Sequence, residues 1–135
     1  MSLIGYALRM AKQYYETETY EHALRVAANV ADNNIIPDSK MDLCISLAIM
    51  HDLIEDTNYG EFNDVPLALK HGMKNITKRR DEDYISYIKN IVNNKDTCPE
   101  AWWVKLADMK DHLSQAETLT EKLRDKYLTA LPYLL

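Results

Sequence analysis

The stretch Leu43-Cys44-Ile45-Ser46-Leu47-Ala48-Ile49-Met50, followed at once by His51-Asp52-Leu53-Ile54-Glu55-Asp56, decides how the chain is read. Its first part is apolar nearly all round, so a helix built from it has no face that prefers water and belongs at the centre of a helical bundle. Pro37-Asp38-Ser39 reads as the start of that helix, with Asp38 or Ser39 as N-cap, and the pattern predicts one long segment ending near Asp56.

Working outward, apolar residues recur at helical spacing from about Leu3 to Tyr15 and from Tyr20 to Asn33, with Glu16-Thr17-Glu18-Thr19 as break and cap between them. Thr57-Asn58-Tyr59-Gly60 ends the central helix. A short helix is expected over Val65 to His71, closed by Gly72, and another over Glu82 to Val92. Pro99 opens a long helix to about Glu117, and Thr120 caps a last one to Tyr133. No segment alternates as a strand does, and no internal repeat is visible. The expected fold is all-α, a compact bundle of about six to seven helices around a buried central one, forming a single domain over residues 1–135.

Hydrophobic residues make up 47% of the chain and charged ones 27%, with three glycines and four prolines, which suits a helical globular protein and not a disordered one. The formal charge of -5 argues against a polymeric nucleic acid as partner, because that affinity comes from lysines and arginines neutralising phosphates. A small phosphorylated ligand stays open, since a metal and a few local cations hold it at any net charge. Cys44 and Cys98 lie far apart with no disulfide or zinc-ribbon spacing. The N-terminus lacks a basic leader before an apolar run, and no stretch reaches ~18 apolar residues. These features predict a cytoplasmic chain with reduced thiols and no membrane partner, and they leave a homo-oligomer open.

The end of the central helix carries the chemistry. At about 100° per residue, positions 51, 55, 52 and 56 fall at about 0°, 40°, 100° and 140°, so His51, Asp52, Glu55 and Asp56 share one sector. Three carboxylates crowded there repel unless a positive charge sits among them. A divalent cation supplies it, with His51 and Asp52 as nitrogen and oxygen donors. An exposed helix end with solvated carboxylates is the alternative for this segment alone. His22 shares an inward face with Ala23, Val26 and Val30, where it is either a hydrogen-bonded core residue or a ligand. Lys105, Asp108, His112 and Gln115 form a polar stripe beside the apolar stripe of Trp102, Leu106, Met109, Leu113 and Ala116. Asp108 therefore either borders the core or belongs to a solvated face.

His22, His51-Asp52 and Asp108 together resemble the H…HD…D pattern of the HD phosphohydrolase superfamily. Ala-Ile-Met-His-Asp-Leu-Ile-Glu-Asp-Thr at 48–57 and Val-Lys-Leu-Ala-Asp at 104–108 are similar to the hydrolase domain of RelA/SpoT-type enzymes. Those enzymes remove the 3′-pyrophosphate from the alarmone ppGpp. Asn75-Ile76-Thr77-Lys78 and Arg124-Asp125-Lys126-Tyr127 extend the resemblance, which runs from about Tyr20 to Tyr127. It implies one divalent metal, manganese in these relatives, on His22, His51, Asp52 and Asp108. Glu55 and Asp56 would orient the attacking water and take its proton. Lys78 and Lys105 are candidates for the substrate's phosphates, Tyr127 for packing on a sugar or base, and Arg25 is a further cation near His22.

The chain also departs from these relatives. The family's basic pair before the first histidine is replaced by Gln13 and Tyr14, with Lys12 adjacent. The family's Ala-Asp-Arg-x-x-Asn reads here Ala107-Asp108-Met109-Lys110-Asp111-His112, so His112 takes the place of a nucleotide-contacting asparagine. Three readings follow: a ppGpp-type hydrolase of a small phosphorylated nucleotide, a hydrolase of another nucleotide or phosphate ester, and a non-catalytic metal- or nucleotide-binding module.

Overall fold

The amphipathic segments fold as helices that bury their apolar faces against one another. A computed structural model describes residues 2–115 and 117–135, and Ala116 of the expected apolar stripe lies outside them. Among the described residues there is no strand, as the all-α reading expects. The helices are α1 (Leu3–Tyr14), α2 (Thr17–Ala31), α3 (Asp38–Met50), α4 (Leu53–Asp56), α5 (Leu67–Ile76), α6 (Tyr84–Asn93), α7 (Pro99–Ser114) and α8 (Glu121–Leu134), with a 3-10 turn at Phe62–Asp64.

The central helix is α3, which packs on α1, α2, α5 and α7. Every residue from Ser46 to Met50 is buried, whereas Asp38, Ser39 and Asp42 are exposed where the helix emerges at its N-terminal end. Leu47, Ile49 and Met50 are almost fully shielded, each contributing roughly 1.5–3 kcal/mol of burial. Buried side chains from all eight helices join one hydrophobic cluster. Trp102 ties the last helix to α7 by donating from Nε1 to the Leu134 carbonyl at 2.7 Å.

The expected single helix from Pro37 to Asp56 is instead two helices broken at His51-Asp52, and Pro37 is its N-cap in place of Asp38 or Ser39. The cause is side-chain competition for the backbone. The Tyr15 hydroxyl donates to the Ile49 carbonyl at 2.7 Å and accepts from the Asp52 N–H at 3.2 Å. His51 Nδ1 takes the Ala48 carbonyl at 2.6 Å. Side chains inserted into the i→i−4 ladder turn a helix in this way. Tyr15→Phe strands a carbonyl and an N–H in a buried place and is expected to cost about 1–3 kcal/mol, read as a fall in urea midpoint at unchanged slope.

Three other expectations are corrected. Helix α2 starts at Thr17, so only Tyr15-Glu16 separates it from α1, and Glu16 caps without a side-chain hydrogen bond. Gly72 does not close α5, which continues to Ile76. The glycine is a point of close approach: a Cβ there would sit 2.8 Å from Leu47 Cδ2. Helix α7 ends at Ser114, short of Glu117, while Thr120 caps α8 as expected by accepting from the Leu123 N–H at 3.2 Å. Both cysteines are buried free thiols. Among the described residues no helix is long and apolar enough to cross a membrane.

Candidate metal centre

The helix break, the inward face of α2 and the polar stripe of α7 meet at one point. One donor atom from each of His22, His51, Asp52 and Asp108 lies within 4.8 Å of the others, which makes a group able to hold a metal ion. His22 Nε2 is 2.7 Å and His51 Nε2 is 3.0 Å from Asp108 Oδ1. Asp52 Oδ2 is 3.2 Å from His51 Nε2 and 3.9 Å from His22 Nε2. Donors about 2.0–2.2 Å from a shared ion stand roughly 3–4 Å apart, so these separations match a ligand shell.

The partners on the other ring nitrogens strengthen that match. A carbonyl only accepts, so the Ala48 oxygen fixes the proton of His51 on Nδ1 and leaves the Nε2 lone pair aimed at the carboxylates. Asp111 Oδ2 lies 2.6 Å from His22 Nδ1 and orients that ring likewise. Each imidazole thus faces acceptors with both nitrogens, an arrangement that demands positive charge between the rings and the carboxylates. Without a cation the rings must supply it. Burial opposes the His51 imidazolium, yet Asp52 and Asp108 hold its pKa well above the usual value, and Asp108 does the same more mildly for His22. Asp108 resists its own burial because Lys105 and His51 hold its carboxyl well below the ordinary range. A divalent ion could replace those protons with the same sign of charge.

Each remaining candidate has a definite place. Lys105 is buried, and its ammonium donates to Asp108 Oδ2 at 2.8 Å, so its charge is committed to a ligand carboxylate. His112 stacks between His22 (centroids 4.3 Å) and Tyr127 (4.9 Å), with Nε2 3.3 Å from Asp108 Oδ1. Asp56 opens with Asp52, His22, His112 and Tyr127 into a cleft of about 390 Å³. Glu55 turns aside, and its Oε1 accepts the Lys78 backbone N–H. The Lys78 ammonium meets the Arg79 carbonyl at 2.9 Å. Burial and the Asp52 charge push the Asp56 carboxyl up, and burial pushes Glu55 up against the Lys78 N–H.

The sequence reading missed Asp111. It sits one helical turn from Asp108, the spacing that puts both on one face, and it is 3% exposed. Arg25 is its partner, with Nε 2.9 Å from Oδ1. Asp111→Asn, which keeps the shape and loses the charge, is expected to weaken metal affinity by about 10–100-fold with the helical content intact, measured by competition with a chromophoric chelator.

Comparison with protein-family models and with curated proteins finds no match for this chain. What is established is therefore an all-α bundle carrying a His/Asp group able to hold a metal ion.

Proposed function

We propose that the chain is a metal-dependent phosphohydrolase of the HD type acting on a small phosphorylated nucleotide, with ppGpp 3′-pyrophosphate hydrolysis as the leading reaction. The observation that carries this reading is the convergence of four imidazole and carboxylate donors, two of which, His22 and Asp52, line an open cleft together with Asp56. His22, His51, Asp52 and Asp108 would hold a divalent ion, Mn²⁺ in this reading, which when bound would lower the pKa of water and polarise the phosphoryl group. Asp56 orients the attacking water and accepts its proton as a P–O bond forms and the bond to the leaving group breaks. Asp111 and the Ala48 carbonyl hold the two imidazoles in the ligating tautomer. A pure binding module needs no basic carboxylate beside its ligands, which favours an enzyme.

The same chemistry on another nucleotide has its own support. His112 is stacked flat between His22 and Tyr127 at the cleft wall, where the resemblance has an asparagine, and the family's basic pair is Gln13 and Tyr14. Guanine selectivity is therefore relaxed in this reading. The test is kcat/KM for ppGpp, its adenine counterpart and simple nucleoside monophosphates with Mn²⁺, Mg²⁺ or Co²⁺. Turnover abolished by chelator is expected, with less than a thousandfold preference for ppGpp. Absence of turnover with every metal and substrate would overturn the enzyme reading.

A further inference from the structure

Beyond the wall formed by His112 and Tyr127, three hydrogen-bond donors gather, and two of them, Tyr84 and Lys126, lack an acceptor. The hydroxyl of Tyr84, in the first turn of α6, is buried and finds no acceptor, since Lys105, whose ammonium acts on it, can only donate; folded proteins seldom leave a buried donor in that state. Two ammonium groups lie by its ring: Lys126 Nζ at 4.3 Å from the centroid and Lys105 Nζ at 5.7 Å. Lys126 also lies 5.7 Å from the Tyr127 centroid. Lys105 is held by Asp108, whereas the Lys126 ammonium, over these rings, makes no hydrogen bond or salt bridge among the described residues. Burial, then the charges of Lys105 and Lys78, lower the pKa of Lys126, with Glu55 opposing, which is the mark of cations crowded together.

A buried hydroxyl without an acceptor and converging cations share one missing partner, an anion. Asp108 links this place to the metal centre, since one carboxylate oxygen faces both imidazoles and the other holds Lys105. We propose that Lys126 and Tyr84 form an anion-binding site, adjoining the metal centre, that takes phosphate oxygens of the substrate. The assignment to a substrate phosphate rests on the phosphohydrolase reading above, but the site itself does not. Lys126 supplies the charge and Tyr84 the directional donor. Lys126 is exposed and can meet an anion from solvent, while the Tyr84 hydroxyl lies behind it, shielded from water.

The test is calorimetric titration of inorganic phosphate into the full chain loaded with Mn²⁺, as wild type, Lys126→Met, Lys126→Arg and Tyr84→Phe. Wild type is expected to bind phosphate, and Lys126→Met to weaken it about tenfold, the size of one charge-assisted contact. Tyr84→Phe should weaken it about threefold, and Lys126→Arg should retain most of it, with metal content and helical circular dichroism unchanged in all. Lys126→Met alters an exposed side chain, so the test holds even if Tyr84→Phe folds poorly. Phosphate binding by Lys126→Met within about twofold of wild type, or no binding by metal-loaded wild type, would overturn the site. Lys126-dependent binding in a chain that turns over no nucleotide supports the site and overturns the hydrolase reading. Turnover with a KM insensitive to Lys126→Met overturns the site and leaves that reading standing.

Discussion

Replacing Asp108 by alanine is expected to cost about 3–5 kcal/mol of stability even in excess chelator, because it leaves the buried Lys105 ammonium without its carboxylate. The same change removes a donor that faces both histidines, so metal binding is expected to disappear as well. Asp52→Ala separates the two effects. Its side chain is 18% exposed against 3% for Asp108 and makes no contact with Lys105 among the described ion pairs, so it should abolish metal binding with a much smaller loss in chelator. Adding Lys105→Met to Asp108→Ala should restore part of the stability by removing the unpaired charge. Urea denaturation with and without chelator measures all four chains. A loss below about 1 kcal/mol for Asp108→Ala in chelator would show that Lys105 finds other partners.

If the proposed hydrolysis is right, Asp56→Asn is expected to lower kcat by about 10²–10⁴-fold with metal still bound, because the amide would keep the shape of the cleft and lose the proton acceptor. Glu55→Gln should cost less, about tenfold. Its remaining carbonyl oxygen still accepts the Lys78 N–H, so the loop after α5 stays in place. Single-turnover kinetics with metal analysis on the same samples checks both. Equal losses in the two variants would place Glu55 at the reacting water alongside Asp56.

Much of this arrangement was legible in the sequence, for identifiable reasons. The all-round apolar run from Leu43 to Met50 located the central helix because only a fully surrounded helix tolerates it. His22 was placed inward by Ala23, Val26 and Val30, and all four are buried. Thr120 was readable as a cap because capping chemistry is local.

What escaped was non-local. Helical periodicity carried the central segment straight through to Asp56, since nothing within it announces that a tyrosine from α1 will take the Ile49 carbonyl. Gly72 looked like a stop signal because the reason for a glycine there is Leu47, on another helix. Lys105 looked like a free cation on a polar stripe, and only the burial of Asp108 shows where its charge goes. Asp111 carried one local signal, its spacing of three from Asp108, but its partner His22 lies in α2 and no sequence pattern joins them.

Whether His22, His51, Asp52 and Asp108 hold one divalent ion is read out by anomalous diffraction from crystals grown with Mn²⁺. One strong peak is expected within bonding distance of Nε2 of His22 and His51 and of a carboxylate oxygen of Asp52 and Asp108, and none in His51→Ala. No peak among these four side chains at saturating Mn²⁺, or a peak unchanged in His51→Ala, would contradict that assignment.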